Sequence, residues 1–305
     1  MVETPSAAIT VSAAHTEEGS QSDKEALLET GPTITLVHQK PITSSIRGTF
    51  RHLVSLAGGW SRVRGFGFFY FYNIVFGLTH GLITAILPGF PGSSLIVTTA
   101  TGALLANLHA AWTHKVISMP TSVGIFKRIP ARSEWKVLAP AAAAQAIMPY
   151  ISIYIIQASA ILMGLHQMNV ENSTAAKWAC LIVKLITMLA IIFACTMFLC
   201  LPAMVTQIRV EASLLPEEHD TIVPFDRTFS GKVVAKILGG TGSVGFLDAW
   251  RSFNWEARTR LIKVYVKAFF IVVGIFVIVF QAIALEAWLI AGPSLSRAVA
   301  QAGQS

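Results

Sequence analysis

The chain has 305 residues, of which 53% are hydrophobic and 13% are charged, with a formal net charge of +7. Soluble globular proteins carry about 25% charged residues, so this composition argues against a soluble fold and predicts an integral membrane protein. In such proteins an excess of basic residues usually lies in loops that face anionic cytosolic lipids. We therefore expect a lipid bilayer with an anionic cytosolic leaflet as the partner, and no nucleic acid.

The first 45 residues are rich in Ser, Thr, Ala and Glu and poor in large apolar residues. Such a segment cannot bury enough apolar surface to offset its chain entropy, so we predict a disordered tail over 1–45. Within it, the stretch DKEALL places Asp23 before Leu27 and Leu28. This matches the acidic dileucine pattern that sorting adaptors bind in extended cytosolic tails. A chance match of so short a pattern is the alternative.

Five apolar runs are long enough to cross a bilayer, whose hydrocarbon core of about 30 Å requires about 20 helical residues. They predict an all-α, polytopic transmembrane helix bundle over 46–291. The spans are expected at 65–87, 93–112, 137–165, 178–205 and 264–291, with a cytosolic loop at 206–263 and a short C-terminal tail at 292–305.

Two amphipathic stretches precede the first and the last span. In each, apolar residues recur every three or four positions while arginines lie off the apolar stripe. The stripes are Ile46, Phe50, Leu53, Ala57 and Trp60, and Phe246, Trp250, Phe253, Ala257 and Leu261. Both patterns predict basic helices that lie in the headgroup plane.

The distribution of Lys and Arg predicts the orientation. One side carries Arg47, Arg51, Arg62, Arg64, Lys115, Lys127, Arg128, Arg132, Lys136, Arg209, Arg227, Lys232, Lys236, Arg251, Arg258, Arg260 and Lys263, and the other carries Lys177 and Arg297. By the positive-inside rule the N-terminus is cytosolic and the C-terminus lumenal or extracellular, in an endomembrane or the plasma membrane. The sequon at Asn172 falls in a predicted outer loop and predicts N-glycosylation, with a chance triplet as the alternative.

Glycine patterns occur at two places. Gly240, Gly242 and Gly245 form a GxGxxG, which in a dinucleotide site surrounds a pyrophosphate at a helix N-terminus. The last span follows too soon for a second parallel strand, so a flexible elbow is favoured. Gly77 and Gly81 form a GxxxG that predicts close helix packing within the bundle, or homodimerisation as the alternative.

Polar residues recur at one level of the predicted bundle. Lys184 lies about 9 Å from the outer end of the fourth span, at 1.5 Å per residue. His80, Gln157 and Glu286 lie at similar depths in other spans. Three interpretations are open. The Lys184 side chain extends so that its ammonium reaches the outer membrane surface, or it forms a structural ion pair with Glu286. In the third, Lys184 lines a functional polar site together with His80, Gln157 and Glu286.

Two stretches, IVPFDRTFSGKV and FLDAWRSFNWEARTRLIKVYVK, resemble a group of uncharacterised multi-pass membrane proteins of filamentous fungi. The resemblance covers mainly residues 200–280. It implies a fungal membrane protein and carries over no activity and no site residue.

Two functions fit the sequence. The first is a non-enzymatic multi-pass protein that organises or supports a membrane-associated pathway. It is favoured because no catalytic, metal-binding or cofactor-binding set is apparent in the sequence; the acidic loop around Glu217 and Asp226 is interpreted as solvated. The second is a small-solute or ion transporter or channel subunit that uses the outer polar layer. Five spans are few for a transporter, so this function implies a homo-oligomer.

Overall fold

The computed structural model describes residues 7–11, 34–38, 41–121, 124–167, 175–234 and 238–302. The sorting pattern at Asp23, Leu27 and Leu28 and the sequon at Asn172 lie outside the described residues, so both stay predictions. The chain divides into two units, Met1–Asn254 and Trp255–Ser305. The predicted all-α class is confirmed, because helices make up nearly all of the regular structure described.

A short strand pair lies within the tail that the sequence predicts to be disordered. Strands β1 (Ala7–Val11) and β2 (Ile34–His38) pair antiparallel, with Ala7 opposite His38. An isolated pair of strands is only marginally stable in water, so it adds little to a helical fold.

The first unit contains eight α-helices among its described residues. They are α1 (Ile46–Ala57), α2 (Phe66–Ile86), α3 (Ser93–Leu104), α4 (Ala106–Ile117), α5 (Trp135–Leu162), α6 (Ala175–Cys195), α7 (Leu201–Ser213) and α8 (Phe246–Arg251). Short 3₁₀ helices lie at Ile42–Ser44, Gly59–Val63, Ile125–Arg128, Arg132–Glu134 and Leu165–Gln167.

Four helical stretches are long and apolar enough to cross a membrane, by length and composition. They are Gly59–Ile86, Arg132–Leu162, Ala176–Ser213 and Trp255–Ile290. The predicted second span is instead a bent pair, because α3 and α4 meet at 58°. The described chain therefore has four spans, or five if the bent pair counts as one.

The bend between α3 and α4 has a hydrogen-bonding cause. The Ala103 carbonyl, which in a continuous helix accepts from the amide of Asn107, accepts instead from the Trp135 indole at 2.7 Å. The Asn107 side chain donates to the Pro130 and Ala131 carbonyls at 3.0 and 3.1 Å. Trp135 at the start of α5 and the residues just before it therefore form hydrogen bonds at the break between α3 and α4. These bonds fix the angle of α4.

A π-helical stretch, Thr196–Cys200, joins α6 to α7. Pro202 follows it and has no backbone N–H, so the carbonyl of Phe198 loses its usual helical donor. Such stretches relieve a missing bond and are frequent at functional sites. The helical run continues to Ser213, eight residues beyond the predicted end of the fourth span at 205.

Large apolar side chains cover the outside of the spans. Ile86 is 84% exposed and Leu162 is 87% exposed. Exposure of such apolar side chains is unfavourable in water but not in lipid. The buried core lies at the end of the first unit where α4, α5 and α7 meet the segment 214–249. It comprises small residues of the helices and larger ones of the segment, including Ala106, Ala110, Ala141, Ala142, Val210, Leu214, Phe225, Phe229, Val244 and Ala249.

The segment after α7 is folded by local bonds. The Asp226 carboxylate accepts hydrogen bonds from the amide and hydroxyl of Thr228, at 2.8 and 2.6 Å, and from the amide of Ser230 at 2.8 Å. These bonds hold Phe229 and Ser230 at positive φ, 51° and 61°. Phe229 is thereby turned into the core.

The GxGxxG glycines form a tight turn on this segment. A Cβ on Gly240 would lie 2.2 Å from the Val234 carbonyl oxygen, which also accepts the Gly242 amide at 3.1 Å. Gly245 then precedes α8, a helix of only 6 residues. The predicted interfacial helix over 246–261 is therefore interrupted after α8, at Ser252, Phe253 and Asn254.

The second unit is one helix, α9 (Trp255–Ala302). Most of its large apolar side chains from Phe270 to Ile290 are exposed, as expected for a lipid-facing helix. It extends beyond the predicted span 264–291 in both directions, into the region predicted as a short tail at 292–305.

Candidate functional site

The predicted polar layer is only partly assembled in the described structure. His80 on α2 lies 3.2 Å from the Thr98 hydroxyl through Nε2, and its ring stacks near the Tyr150 ring. Gln157 on α5 is exposed and Lys184 on α6 is half-buried. Glu286 belongs to α9 in the other unit, so its pairing with Lys184 stays a prediction.

A different polar cluster is buried between α4 and α7. We call it the His109–Glu211 cluster; its members are His109 and Thr113 on α4 and Gln207 and Glu211 on α7. The Glu211 side chain is 1% exposed. Its Oε1 lies 2.6 Å from His109 Nδ1 and 2.8 Å from Gln207 Nε2, and its Oε2 accepts from the Thr113 hydroxyl at 2.5 Å. Three donors thus converge on one carboxylate.

Hydrogen-bond chemistry fixes the tautomer of His109. A carboxylate only accepts, so the hydrogen shared with Glu211 belongs to Nδ1. The Gln207 amide, 2.9 Å from the same nitrogen, must then give its hydrogen to Glu211 and not to His109. In the neutral ring, Nε2 then carries the lone pair.

Aromatic rings enclose the imidazole. The rings of Tyr72 on α2 and Trp112 on α4 each lie 5.1 Å from the His109 ring, nearly perpendicular to it. The side chain of His109 is 15% exposed. The cluster is therefore shielded from bulk water but not sealed.

A cavity of about 270 Å³ adjoins the cluster. Its polar lining comprises His109, Thr113, Gln145 and Gln207, and its apolar lining includes Trp112 and Met204. The Oε1 atom of Gln145 is buried without a hydrogen-bond partner. Because buried polar atoms are nearly always bonded, this atom calls for a donor inside the cavity. The space suits several waters or a small solute, being slightly below the 300 Å³ lower range of drug-sized sites.

The cluster lies near the end of the bundle that carries the basic loops, with Glu211 two residues before the end of α7 at Ser213. Tyr72 is six residues from the start of α2 at Phe66, about 9 Å along the helix. Gln145 is ten residues from the start of α5 at Trp135, about 15 Å. Both helices start at the end of the bundle that carries the basic loops. The cluster therefore occupies the half of the bundle opposite to the predicted outer layer.

A second contact fixes the neighbouring turn. Nε2 of His114, on α4, lies 2.7 Å from the Glu211 backbone carbonyl, so this nitrogen carries the donated hydrogen. His114 is buried. The Glu211 carbonyl also accepts the Leu214 amide at 3.2 Å, so the bond from His114 is its second one and joins the end of α7 to α4.

Arg209 is another buried charge on α7, 3% exposed. Its Nε donates to the Ala249 carbonyl at 2.7 Å and its Nη2 to the Ser252 hydroxyl at 2.8 Å. The guanidinium also lies over the rings of Phe229 and Phe253, at 4.8 and 5.4 Å from their centroids. The sequence analysis places Arg209 in the cytosolic loop. In the structure its side chain is buried and links α7 to α8.

The sequence prediction missed the His109–Glu211 cluster. Residues 206–213, TQIRVEAS, are polar enough to be placed in the cytosolic loop, and His109 was passed over within an apolar run. One signal was present: His109 and Thr113, like Gln207 and Glu211, are spaced four apart and share one face of a helix. Two such pairs near the same end of neighbouring spans indicate a contact.

No protein-family model, curated protein or solved structure matches the chain.

Proposed function

We propose that the protein is a transporter or channel subunit that moves a small solute or ion in exchange or in company with protons, with the His109–Glu211 cluster as its proton-binding site. The observation that carries this proposal is the titratable pair of His109 and Glu211, 2.6 Å apart and buried between α4 and α7. Buried ionisable groups are costly, and in membrane helix bundles they commonly mark ion or substrate paths. The proposed site differs from the outer layer considered from the sequence.

Two of the helices around the cluster are adjacent to interruptions in the helical pattern. The α3–α4 pair is bent by 58° just before His109, and α7 follows a π-helical stretch. Transporter sites are commonly built from discontinuous helices beside a cavity. The side-chain oxygen of Gln145 is buried without a hydrogen-bond partner, which supports the binding of a polar solute in that cavity.

The chemistry of one cycle follows from the tautomer. Protonation of Nε2 makes His109 an imidazolium, which pairs with the Glu211 carboxylate and leaves the cluster neutral. Loss of that proton leaves one buried negative charge, which favours a cation or a hydrogen-bond donor in the cavity. Proton release and solute binding are thereby coupled through one charge.

A vesicle experiment tests the proposal. The purified protein is reconstituted into liposomes that contain pyranine, and acidification is followed after an external pH drop with valinomycin and potassium present. Wild-type vesicles are expected to acidify faster than empty ones. Glu211→Gln and His109→Gln should each reduce the added rate about tenfold or more, which corresponds to the loss of one charged hydrogen bond.

The matched control is Glu286→Gln, which removes a carboxyl from an apolar helix outside the cluster. It should retain the wild-type rate. Equal loss in Glu286→Gln and Glu211→Gln would contradict the assignment to this cluster. Wild-type rates equal to those of empty vesicles would contradict proton transport itself.

A second function is supported by the folded segment after α7. We also propose the non-enzymatic role of organising a membrane-associated pathway, because the described residues 214–234 and 238–254 fold into a segment that crossing the bilayer does not require. Deleting Glu217 and Glu218, which are exposed, should then disturb the pathway but leave vesicle acidification unchanged.

The membrane setting is part of the proposal. We place the basic loops and the N-terminus in the cytosol and the C-terminus in the lumen or outside, in an endomembrane or the plasma membrane of a fungus. Asn172 is then on the side where glycosylation occurs, and Asp23, Leu27 and Leu28 on the side of sorting adaptors. The proton-coupled function further implies a homo-oligomer.

A further inference from the structure

We infer that a second pocket, between the start of the first span and the loop after α4, binds the phosphate group of an anionic membrane lipid. We call it the Arg64 pocket. It has a volume of about 440 Å³ and is lined by Ala57, Trp60, Ser61, Val63, Arg64, Gly65, Lys115, Pro120, Thr121 and Arg128. Three of these described residues are basic, two carry hydroxyls and none is acidic.

Unsatisfied polar atoms point to a missing ligand. Nη1 of Arg64 and the Ser61 hydroxyl are both buried without a hydrogen-bond partner. An unpaired buried donor on a charged group is rare and costly, so it requires an explanation. Both atoms belong to pocket-lining residues, and a phosphate oxygen accepts from either.

The basic groups are held in place before any ligand arrives. Nη2 of Arg64 donates to the Met119 carbonyl at 3.1 Å. Arg128 donates from Nη1 to the Ser118 hydroxyl at 2.9 Å and from Nη2 to the Thr121 hydroxyl at 2.5 Å. Arg128 is 8% exposed, and this burial lowers its pKa. Fixed, partly desolvated guanidinium groups are well suited to bind phosphate.

The backbone brings the two sides of the pocket together at Gly65. This residue has φ of +85°, and a Cβ on it would lie 2.7 Å from the Val116 side chain. Only glycine allows both the turn and the close approach to α4. Arg64 is thereby placed beside Lys115, and Arg64 and Arg128 lie close enough to repel each other. An anion between them removes that repulsion.

The surroundings favour a lipid over free phosphate. Trp60 is 85% exposed at the pocket, and Val63 and Phe66 beside it are also exposed. The helix α1, with Arg47 and Arg51 off its apolar stripe, precedes the pocket in the chain, and α2 begins directly after it. A cationic pocket with an apolar rim at the start of a span matches a phosphate head with acyl chains.

A binding experiment tests the inference on the purified full-length protein. Dioctanoyl phosphatidylinositol 4-phosphate, dioctanoyl phosphatidylcholine and inorganic phosphate are titrated separately, with thermal unfolding and calorimetry as readouts. The phosphoinositide should bind and stabilise the protein, with the other two much weaker. Arg64→Gln and Lys115→Gln should each weaken its binding about tenfold.

The control variant is Arg62→Gln, which removes the same charge two residues away from an exposed side chain outside the lining. It should bind the phosphoinositide within about twofold of wild type, as expected for an exposed charge. Equal weakening in Arg62→Gln and Arg64→Gln would overturn the pocket in favour of general surface attraction. Tight binding of inorganic phosphate, with no preference for the lipid, would overturn the lipid assignment. Lys115→Gln keeps the test decisive if Arg64→Gln does not fold.

Discussion

The Glu211 carboxylate accepts three hydrogen bonds: those from His109 and Thr113 link α7 to α4, and the one from Gln207 comes from α7 itself. Hydrogen bonds to a buried charged group are worth more than those between neutral groups, and their loss leaves the charge without compensation. The same contacts that would carry a proton therefore also stabilise the bundle. The two roles are separable, since Thr113 bonds to the carboxylate but cannot titrate.

Removal of the Thr113 hydroxyl measures the structural part. Thr113→Ala should lower the free energy of unfolding in detergent by about 1.5–3 kcal/mol, the range for a hydrogen bond to a charged acceptor. Thr187→Ala is the control, because the Thr187 hydroxyl bonds only to the Val183 carbonyl on the same helix among the contacts described. Equal unfolding midpoints for the two variants would show that the Thr113 contact adds no stability.

Asp226 supplies a pH-dependent contribution from outside the spans. Burial opposes ionisation, but the bonds from Thr228 and Ser230 and the charge of Arg209 outweigh it, so the pKa of Asp226 is lowered. The folded pKa therefore lies below the unfolded value of about 3.9. The stabilisation is complete above that value and is lost as the pH falls through the folded pKa.

Asp226→Asn should thus be less stable than wild type at pH 7. The difference in unfolding midpoint should shrink as the pH falls below about 3.9, since wild type then carries a neutral side chain as well. Intrinsic tryptophan fluorescence in detergent, read from pH 7 to pH 3, follows both proteins. A difference that persists unchanged at the lowest pH would contradict the assigned role of the charge.

Packing between elements depends on small residues at one helix pair. A Cβ on Gly102 of α3 would lie 2.5 Å from the Ala146 Cβ and 2.9 Å from the Ala142 carbonyl oxygen of α5. The backbones of α3 and α5 therefore approach closely, as small residues permit in membrane bundles. The GxxxG of Gly77 and Gly81 is predicted to serve the same purpose, but no described residue of the first unit lies within 4 Å of a Cβ at either glycine. Homodimerisation through this pair stays a prediction.

The two glycine positions give opposite expectations. Gly102→Ala should destabilise the folded protein by about 1–3 kcal/mol, because the Ala142 backbone cannot move aside cheaply. Gly81→Ala should be neutral or stabilising, since alanine favours the helix by about 1 kcal/mol. Thermal unfolding of both variants in detergent measures the contrast. A destabilised Gly81→Ala would indicate that a second copy packs there.

The apolar runs of the sequence predict the ends of a helix correctly where contact with lipid alone determines them. The first span was predicted at 65–87 and α2 is Phe66–Ile86. The predicted boundaries are wrong where contacts within the protein determine the structure. The Trp135 indole bonds to the Ala103 carbonyl at the break in the second span. The side chains of Glu211 and Arg209 form hydrogen bonds with residues far away in the sequence. Such long-range partners leave no trace in local hydropathy.

At the scale of the whole molecule, the basic loops meet at one end of the first unit. The Met119 amide donates to the Asp220 carbonyl at 2.8 Å and the Ile222 amide to the Ile117 carbonyl at 3.0 Å, so the loops after α4 and α7 are joined. His52 on α1 bonds to the Ile222 carbonyl at 3.0 Å. Loops that are bonded together must lie on the same side of the membrane, as the charge count predicted.

Cysteine labelling tests which side this is. In a variant with Cys180, Cys195 and Cys200 replaced by alanine, Glu217→Cys should react with an impermeant maleimide on sealed vesicles with the cytosolic face outward. Gln167→Cys, at the opposite end of α5, should react only after permeabilisation. The reverse pattern would invert the proposed orientation.

The burial of Arg209 has a consequence for synthesis of the chain. Its partners Ala249 and Ser252 lie 40 and 43 residues downstream, so the ribosome releases α7 well before the residues that cover its guanidinium. During that interval the Arg209 side chain lacks both of these hydrogen-bond acceptors. A chain truncated before Ala249 would keep it uncovered permanently, giving quality-control proteases a means to recognise an incomplete protein.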